Sequence, residues 1–395
     1  MSLYRIGVEE EHFVTDLDTR NVRRSMSKKF FRACKDRLGD SVKTELLQSQ
    51  IETLTPPCES LAEARGFLSN SRTTIATVAE QYGLGIVASG THPLAIWPGQ
   101  KATRTPHYDA VMSDLQMLGR RNMLCGLHVH VEILEPDRRV EIMYRAIPFL
   151  PVLLALSTSS PFWRGQPTGL LGYRLAAYDE LPRTGLPELF RTSDEYQCYV
   201  DTLAAAGIIP DASFIWWAIR PSLRYPTIEL RIADACTRLE DALCIAAIFR
   251  CLIRHLSEHP ELNADFNPIA RAIAEENKWR AQRYGVSASF VDPRSREAKP
   301  LTAIVGELLE LLEADARALH CVAEVRRSAE ILKSGSSADE QLRIFMQART
   351  NGQSPLQALS AVIDWLIQET VRSDHKVDIP VRLMQADAYS EVTSR

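Results

Sequence analysis

The chain has 395 residues, with 46 basic and 50 acidic side chains and a formal net charge of −4 at pH 7. This near-neutral balance lacks the basic excess by which proteins bind nucleic acids or anionic membranes, so we expect neither as a partner. The longest apolar run, 146–156, contains two prolines and is too short to span a bilayer, and no secretory signal opens the chain. We therefore expect a cytoplasmic protein, with enough hydrophobic residues (45%) for a large core.

The first predicted element is a strand over residues 3–14, which carries the consecutive carboxylates Glu9, Glu10 and Glu11. Successive side chains of a strand point to opposite faces, so Glu9 and Glu11 share one face and Glu10 lies on the other. Two like charges one pleat apart repel each other. They are expected either at a solvated strand end or around a bound cation, and the strand alone leaves both alternatives open.

Hydrophobic periodicity assigns the remaining segments. A helix start is indicated by Ser60-Leu-Ala-Glu63, which has the form of a capping box. Residues 159–189, rich in Gly and Pro, form a long irregular segment, and such a segment is more often functional than structural. The other predicted elements are, in order, a helix over 25–38, an extended segment over Val42–Leu54, a helix over 60–82, a strand over 83–89, a helix over 107–119, a strand over 123–134, helices over 137–158 and 193–206, paired strands over 213–219 and 227–233, and helices alone from 236 to 371, with breaks near 260, 285–300, 335 and 352.

Strands and helices are thus mixed up to residue 235. Short joins between strands and one-sided polar faces favour a largely antiparallel sheet, so we predict an α+β fold. We expect a single catalytic domain over 1–375, in which 1–235 carries the site and the helical part 236–375 packs on it. The last residues, 376–395, are poor in apolar side chains and are expected to be mobile.

Two further carboxylates, Glu45 and Glu52, lie on the second extended segment. Glu52 stands in an apolar neighbourhood just before a double proline, which is an unusual place for a charge without a role. The two glutamates are 7 positions apart, so an unbroken strand would place them on opposite faces. Both reach one site only if the segment bends or bulges between them.

A pair of histidines, His128 and His130, lies on the strand over 123–134. At spacing i, i+2 the two side chains share one strand face, as metal ligands require. The alternative is the polar face of a half-exposed strand. Such a pair also suits a metal-dependent amidohydrolase, so it does not name the reaction.

The strand over 227–233 carries Glu229 and Arg231 on one face, and Arg220 and Arg224 precede it. A lone pair of this kind is most often an ordinary surface salt bridge. Several guanidinium groups beside carboxylates are, however, what a polyphosphate bridged by divalent cations requires. The eight cysteines form no C-x-x-C pair, and the candidate ligands are mostly carboxylate oxygens, which favour Mg²⁺ or Mn²⁺ over zinc. No P-loop motif is present, so the sequence indicates a nucleoside triphosphate site of another kind.

Four motifs occur in a fixed order: Gly7-Val-Glu-Glu-Glu11, Gln50-Ile-Glu-Thr53, Cys125-Gly-Leu-His-Val-His-Val131 and Glu229-Leu-Arg-Ile-Ala-Asp234. Their order and spacing over residues 3–285 resemble the carboxylate–amine ligase family, the type-2 glutamate–cysteine ligase-like group of the glutamine synthetase superfamily. The segments Gly172-Tyr-Arg-Leu-Ala176 and Leu181-Pro-Arg-Thr-Gly185 are similar to the substrate-side loop of that family, and Asn277-Lys-Trp-Arg280-Ala-Gln-Arg283-Tyr-Gly285 is similar to a further family segment.

The resemblance implies a curved, largely antiparallel sheet of the glutamine synthetase-like catalytic fold, with ATP and Mg²⁺ or Mn²⁺ on its concave face. It implies metal ligation by six residues, namely Glu9, Glu11, Glu45, Glu52, His128 and Glu229. Catalytic phosphate contacts are implied for Arg220 and Arg231, and contacts with ATP or substrate for Arg174, Arg183, His130 and Arg280.

The implied reaction is ATP-dependent amide formation between a carboxylate and an amine through an acyl phosphate, as in formation of γ-glutamylcysteine. Amino acids are then the substrates, a homodimer is the expected assembly, and 159–189 is the candidate lid that shields the acyl phosphate from water. One alternative is a metal-dependent amidohydrolase at His128 and His130, which needs no nucleotide. Others are a non-catalytic homologue that binds a nucleotide or amino acid, and a transferase that phosphorylates a guanidino group.

Overall fold

The structure, a computed structural model, describes residues 4–372, so the predicted tail over 376–395 lies outside the described residues. Its central strands are β1 (Ile6–Asp16), β2 (Val42–Thr44), β3 (Gln50–Leu54), β4 (Leu84–Val87) and β5 (Leu127–Glu132). Two small strands, β6 (Phe162–Trp163) and β7 (Gln166–Pro167), pair with each other. The sheet is completed by β8 (Ile219–Pro221) and β9 (Thr227–Leu230), and a second hairpin is formed by β10 (Ser289–Asp292) and β11 (Glu297–Pro300).

The helices account for most of the remaining described residues. Their bounds are α1 (Lys28–Leu38), α2 (Leu61–Glu80), α3 (Pro106–Leu115), α4 (Met117–Arg121), α5 (Pro136–Ala146), α6 (Leu150–Ser157), α7 (Tyr173–Tyr178), α8 (Ser193–Ala205), α9 (Leu239–Glu258), α10 (Pro268–Tyr284), α11 (Leu301–Leu311), α12 (Glu313–Ala318), α13 (Val322–Ser334), α14 (Ser337–Thr350) and α15 (Pro355–Val371).

The central sheet has the strand order β2-β3-β1-β5-β9-β8, with β4 paired to β1. All its pairings are antiparallel, which confirms the predicted α+β class with a largely antiparallel sheet. β1 is the hub because it pairs with three strands, β3, β4 and β5. In this register Glu9 lies opposite His128, and Glu11 lies opposite Glu52.

The back of the sheet is closed by α2 and α15, and the buried Glu10 carboxylate points to this side. Arg72 of α2 donates to it at 2.6 and 3.0 Å, and also to the carbonyl oxygen of Thr370 in α15 at 3.1 Å. The Thr370 hydroxyl in turn accepts from the backbone nitrogen of Ala88 at 3.0 Å. The predicted separation of Glu10 from Glu9 and Glu11 is therefore confirmed.

The helical half is built around α9, which is buried along most of its length. The largest cluster of buried apolar side chains runs from Ile6 to Ile331, so the predicted parts 1–235 and 236–375 share one core. The helical stretch Pro136–Ser157 is long and apolar enough to cross a membrane. However, 83% of its most apolar 18-residue part is buried inside the protein, as expected of core helices. The bounds of the predicted domain remain a prediction.

Three local predictions are wrong. The strand over 213–219 is replaced by a 3₁₀ turn, Ala212–Phe214, because the Asp211 carboxylate accepts from the backbone nitrogen of Ser213 at 2.8 Å; the strand starts only at Ile219. Helices are not alone after residue 236, since the hairpin β10–β11 fills the predicted break at 285–300. The helix over 137–158 is interrupted at Ile147–Phe149, where Pro148 and Pro151 remove backbone donors.

Candidate active site

Strand pairing brings the predicted acidic and histidine side chains onto one face of the sheet. His128 Nδ1 lies 3.5 Å from Glu9 Oε2, and its Nε2 lies 3.9 Å from Glu11 Oε1. His130 Nε2 lies 3.5 Å from Glu9 Oε1. These contacts follow from the register, because β5 runs antiparallel beside β1 and both strands present alternate residues to the same side.

Glu45 reaches the same face because the chain turns between β2 and β3. The predicted bend between Glu45 and Glu52 is confirmed: β2 ends at Thr44, and β3 begins at Gln50. The Glu45 carboxylate accepts from the backbone nitrogen of Leu46 at 2.8 Å. We call the whole set the acidic cluster; its members are Glu9, Glu11, Glu45, Glu52, His128, His130 and Glu229.

The acidic cluster contains three overlapping groups whose oxygen and nitrogen atoms lie within 4.8 Å of one another. The groups are Glu9–His130–Glu229, Glu9–Glu52–His128 and Glu11–Glu45–Glu52. Both ring nitrogens of His128 and the Nε2 atom of His130 are buried without a hydrogen-bond partner. Buried polar atoms are normally satisfied, so these donor atoms fit a set of divalent cations bound mainly through carboxylate oxygen.

The crowding of carboxylates in this cluster shifts their pKa values. Burial raises the pKa of Glu45 to about 8, and the neighbouring Glu11 adds to the effect. Burial also raises the pKa of Glu52 well above its usual range, with Glu9 and Glu45 adding repulsion. Burial acts on Glu9 in the same direction, but the two histidines beside it hold its pKa well below the ordinary value. Ionising the whole cluster therefore requires additional positive charge.

Glu229 is held in a buried ion cluster with two arginines. Arg220 donates to its carboxylate at 2.8 and 3.2 Å, and Arg231 donates to the same carboxylate. Burial alone would raise the pKa of Glu229, but the two guanidinium groups lower it far below its usual range. The Glu229–Arg231 pair is thus not an exposed surface salt bridge, since Glu229 is only 3% exposed.

Arg174 places a guanidinium group against the acidic cluster without a carboxylate partner among the described residues. Its Nη1 donates to the carbonyl oxygens of Arg231 and Ala233 at 3.2 and 3.1 Å. A Cβ atom at Gly126 would lie 2.3 Å from Arg174 Nη2, so any larger residue there would displace the guanidinium group. The backbone nitrogen of Gly126 also donates to Glu11 Oε2 at 2.6 Å. The glycine of the histidine motif therefore positions both Arg174 and Glu11.

These residues line a cavity with a volume of about 330 Å³. The acidic cluster forms its floor, and α3 covers it, with the Tyr108 hydroxyl donating to the carbonyl oxygen of Thr44 at 3.3 Å. Part of the cavity wall is apolar and buried, formed by Val111, Leu115, Leu124 and Leu181, and the half-buried Asn122 is another lining residue.

The cavity wall also includes exposed residues of the β8–β9 loop, and we call Leu223, Arg224 and Tyr225 the open rim. Leu223 and Tyr225 are 57% and 44% exposed, which is high for large apolar side chains. The Tyr225 ring meets the ring of His130 edge to face at 6.0 Å between centroids. The open rim is thus in contact with the acidic cluster.

Two predicted site residues do not line the cavity. Arg183 donates to the carbonyl oxygen of Phe214 at 2.9 Å and lies over Trp216, which does line it. Arg280 lies on α10, where it donates to the carbonyl oxygen of Ser289 and contacts the Tyr284 ring. The hairpin β10–β11, absent from the sequence prediction, supplies that carbonyl and holds Arg280 away from the cluster.

Several residues of the cavity were not predicted. Lys43, Tyr108, Asn122, Tyr178 and Trp216 carry no motif that distinguishes them in the sequence.

Asp234 belongs to the fourth motif, and this buried carboxylate accepts from the Ser160 hydroxyl at 2.6 Å and from the backbone nitrogen of Ser159 at 3.0 Å. The last residue of that motif thus links the chain after β9 to the segment that carries Arg174.

Comparison with known proteins identifies the family. The model of the glutamate–cysteine ligase family 2 matches residues 5–359. A protein of Bradyrhizobium sp. (strain ORS 278) is 46% identical over 370 residues, which cover 93% of this chain and 88% of that protein. A protein of Rhodospirillum rubrum is 45% identical, covering 93% of this chain and 96% of the relative. Both bear the name "Putative glutamate--cysteine ligase 2".

Two solved structures share the fold. The glutamate–cysteine ligase of Francisella tularensis, in complex with AMP, has a TM-score of 0.70 at 12% identity and matches 94% of this chain and 90% of its own. A bifunctional glutathione synthetase of Pasteurella multocida has a TM-score of 0.65 at 14% identity, and the match covers 93% of this chain but 53% of that longer one. The chain belongs to glutamate–cysteine ligase family 2 and is an ATP-dependent ligase that forms a carbon–nitrogen bond.

Proposed function

We propose that the protein joins the side-chain carboxylate of glutamate to an amine through an acyl phosphate, yielding a γ-glutamyl amide of the γ-glutamylcysteine type, with ADP and phosphate. The observation that carries this proposal is the acidic cluster, in which buried carboxylates from neighbouring strands converge beside arginines. A carboxylate must be activated before an amine can attack it, and phosphorylation by ATP provides that activation.

The site residues fit a role in binding both ATP and metal. Mg²⁺ or Mn²⁺ held by Glu9, Glu11, Glu45, Glu52, His128 and Glu229 would neutralise phosphate charge where a carboxylate oxygen must approach an anionic γ-phosphate. Arg220 and Arg231 keep Glu229 ionised and add positive charge beside it. Arg174, which has no carboxylate partner among the described residues, is free to hold an anionic oxygen of the acid or of the phosphoryl group.

The cavity also suggests how ATP is oriented. A volume of about 330 Å³ is too small to enclose ATP together with an acid and an amine. The nucleoside therefore extends past the open rim, where Tyr225 offers an exposed aromatic face and Arg224 an exposed charge. The acid and the amine then occupy the cavity beyond the acidic cluster.

Water must be kept from the acyl phosphate, and the cavity lining supports segment 159–189 in this role. Arg174, Tyr178 and Leu181 of this segment line the cavity. The Tyr178 hydroxyl lies 3.3 Å from Arg231 Nη2, so the segment contacts the arginines directly. We propose that it covers the reacting groups during the transfer. We also propose a cytoplasmic location and a dimeric assembly.

A coupled assay of ADP release tests the proposal. The protein is mixed with ATP, Mg²⁺, L-glutamate and a pool of amino acids, and the product is identified by mass. We expect ADP and a γ-glutamyl amide in equal amounts. ATP binding by calorimetry without turnover would contradict the proposal in favour of a binding protein. Cleavage of amides without nucleotide would instead support the amidohydrolase, and transfer of phosphate to a guanidino compound the transferase.

A further inference from the structure

We infer that Asp234 is a positioning residue that acts through the Ser160 hydroxyl on Arg174, and so sets where the Arg174 guanidinium group lies beside the acidic cluster. The inference rests on the proposed function, in which Arg174 holds an anionic oxygen, and deepens it by naming the groups that place that side chain. Asp234 does not itself line the cavity, so its effect on the reaction is indirect.

The link between Asp234 and Arg174 runs through a single hydroxyl group. Ser160 Oγ donates to Asp234 Oδ2 at 2.6 Å and accepts from the backbone nitrogen of Arg174 at 2.9 Å. A serine hydroxyl has one proton, and when the carboxylate takes that hydrogen bond, the oxygen lone pairs are left to face the Arg174 N–H group. The carboxylate therefore sets the orientation in which the hydroxyl holds the beginning of α7.

The stretch of chain that ends in Asp234 also holds the guanidinium group. Arg174 Nη1 donates to the carbonyl oxygens of Arg231 and Ala233 at 3.2 and 3.1 Å. Gly126, which forms an isolated antiparallel bridge with Asp234, leaves the space that Arg174 Nη2 occupies. Arg174 is thus held at its backbone by the Asp234 side chain and at its guanidinium group by the backbone just before Asp234. A cation held in this way is preorganised to receive an anionic oxygen.

Asp234 is an expensive carboxylate for the fold to bury. Its side chain is 0% exposed, its Oδ1 atom has no hydrogen-bond partner, and it forms no ion pair within residues 4–372. Burial raises the pKa of Asp234 to about 6, although the nearby Arg174 guanidinium group acts in the opposite direction. Buried polar groups that are not fully compensated cost stability and are typical of functional sites. The placement of Asp234 is therefore better explained by its effect on Arg174 than by stability.

The rest of α7 is anchored independently of Asp234. Lys278 Nζ donates to Asp179 Oδ2 at 2.7 Å, directly after the last turn of the helix. Just before the helix, the backbone nitrogen of Gly172 donates to the carbonyl oxygen of Gln282 at 3.0 Å. Loss of the hydroxyl link should therefore release Arg174 locally without unfolding α7.

The activity of matched variants tests the inference. Asp234→Ala and Ser160→Ala should each lower kcat for ADP release by about 10- to 100-fold, with KM for ATP changed by less than about 3-fold. Asp234→Asn keeps an oxygen that accepts from the Ser160 hydroxyl, so it should retain kcat within about 3-fold. The control is Ser328→Ala, which removes a buried hydroxyl that donates to the Val325 carbonyl at 2.8 Å in α13 and should leave kcat unchanged.

A double-mutant cycle distinguishes positioning from general damage to the fold. When Arg174 is already replaced by alanine, adding Asp234→Ala should lower kcat by less than about 3-fold more, because both residues act through one side chain. Losses that multiply fully in the double variant would overturn the inference. A loss in Asp234→Asn as large as that in Asp234→Ala would also overturn it.

A measurement that needs no turnover keeps this inference separable from the proposed function. Phenylglyoxal modifies accessible guanidinium groups, and peptide mass mapping follows its reaction with Arg174, which is 2% exposed. We expect Ser160→Ala and Asp234→Ala to speed this modification by about 10-fold and Ser328→Ala to leave it unchanged.

Unchanged protection of Arg174 in both folded variants would overturn the inference whatever the reaction is. Failure of both variants to fold would assign Asp234 and Ser160 a structural role and overturn it as well. Absence of ADP release by the unaltered protein with every acid and amine tried would instead contradict the proposed function, while the modification rates still test the position of Arg174.

Discussion

The two faces of β1 hold adjacent carboxylates that differ in whether the chain supplies a lysine or arginine as a partner. On the back, Glu10 receives two hydrogen bonds from Arg72, whose remaining N–H groups donate to backbone carbonyls. On the front, Glu9 and Glu11 face Glu45 and Glu52, and none of these four is paired with a lysine or arginine among residues 4–372. All of these groups are buried or nearly so, yet only the back face is neutralised by the chain.

This difference separates a structural carboxylate from a functional one. A buried charge that serves the fold is compensated by a cation of the same chain, since an unpaired buried charge is strongly destabilising. A cluster left without its compensating charge keeps an affinity for ions from solution. The same eleven-residue strand, Ile6–Asp16, therefore contributes to stability on one side and, in the proposed function, to ion binding on the other.

The largest expected effect comes from removing one charge of the front face. Glu52→Gln, like Glu229→Gln, should reduce ADP formation by about 10³-fold or more, because the charge around the transferred phosphoryl group is no longer balanced. Folding should be retained, since Glu52 ionises only against repulsion. ADP release and thermal unfolding measure the two effects.

The control for that variant is Glu297→Gln, on the exposed strand β11, which should leave both measurements unchanged. Full activity of Glu52→Gln would show that the acidic cluster does not hold the ions, and the contrast between the two faces of β1 would lose its functional meaning.

Removing a charge from the back face should instead lower the stability of the protein. Arg72→Met leaves the Glu10 carboxylate buried and unpaired, which should lower the free energy of unfolding by about 3–5 kcal/mol. Urea denaturation measures this loss. The double variant Arg72→Met with Glu10→Leu should recover most of it, because an apolar pair has no charge to bury. If the double variant is as unstable as the single one, the hydrogen bonds to the Thr237 and Thr370 carbonyls, rather than the ion pair, stabilise this face.

The metal-free protein should become less stable as the pH rises. The pKa of Glu45 is raised from 4.5 to about 8, so between these values the folded state binds more protons than the unfolded state. The free energy of unfolding therefore falls as pH increases through this window. Mg²⁺ at about 100 times its dissociation constant should restore about 2.7 kcal/mol, and its effect should be greatest above pH 8, where protons no longer compete.

Thermal unfolding with chelator or with Mg²⁺ at several pH values tests this dependence. Glu45→Gln is the control, because it removes the titrating group and should flatten the slope. A stability of the chelated protein that rises with pH over the same range would contradict the assigned state of Glu45.

The smallest expected effect concerns the position of Arg174. Gly126→Ala places a methyl group where Arg174 Nη2 lies 2.3 Å away, so the guanidinium group must move. A displacement of this size should lower kcat by about 100-fold while the protein still folds. Gly306→Ala in α11, where a Cβ meets nothing within 4 Å, is the control and should stabilise the protein by about 0.4–1 kcal/mol. Equal activity of the two variants would remove Arg174 from the reaction.

Sequence periodicity predicted the convergence of the front-face side chains because they follow the strand period. Glu9, Glu11, His128 and Glu229 each occupy alternate positions on strands, and pairing of neighbouring strands then brings them together. Glu45 reaches the same face only because the chain turns before Gln50. The sequence indicated that such a turn was required, but not its geometry.

Residues that enter the cavity from outside the sheet were harder to predict. Tyr108 comes from α3, which reaches β2 through its hydrogen bond to the Thr44 carbonyl, and Asn122 comes from the loop after α4; neither carries a chemical motif. Arg280 was assigned to the site by the family resemblance, but its side chain donates to the Ser289 carbonyl of the hairpin β10–β11 instead. Helix periodicity tells which residues share a face, and it does not tell what that face meets.

The hydrogen bond from Arg72 to the Thr370 carbonyl joins parts of the chain that are 298 positions apart. The ribosome synthesises β1 and α2 long before α15. The nascent chain therefore contains Glu10 and Arg72 before the Thr370 carbonyl, which accepts a hydrogen bond from Arg72, has been made. The back of the sheet is therefore covered by α15 only after residues near 370 have been synthesised. The strands that carry the acidic cluster are thus synthesised well before the helix that covers their back face.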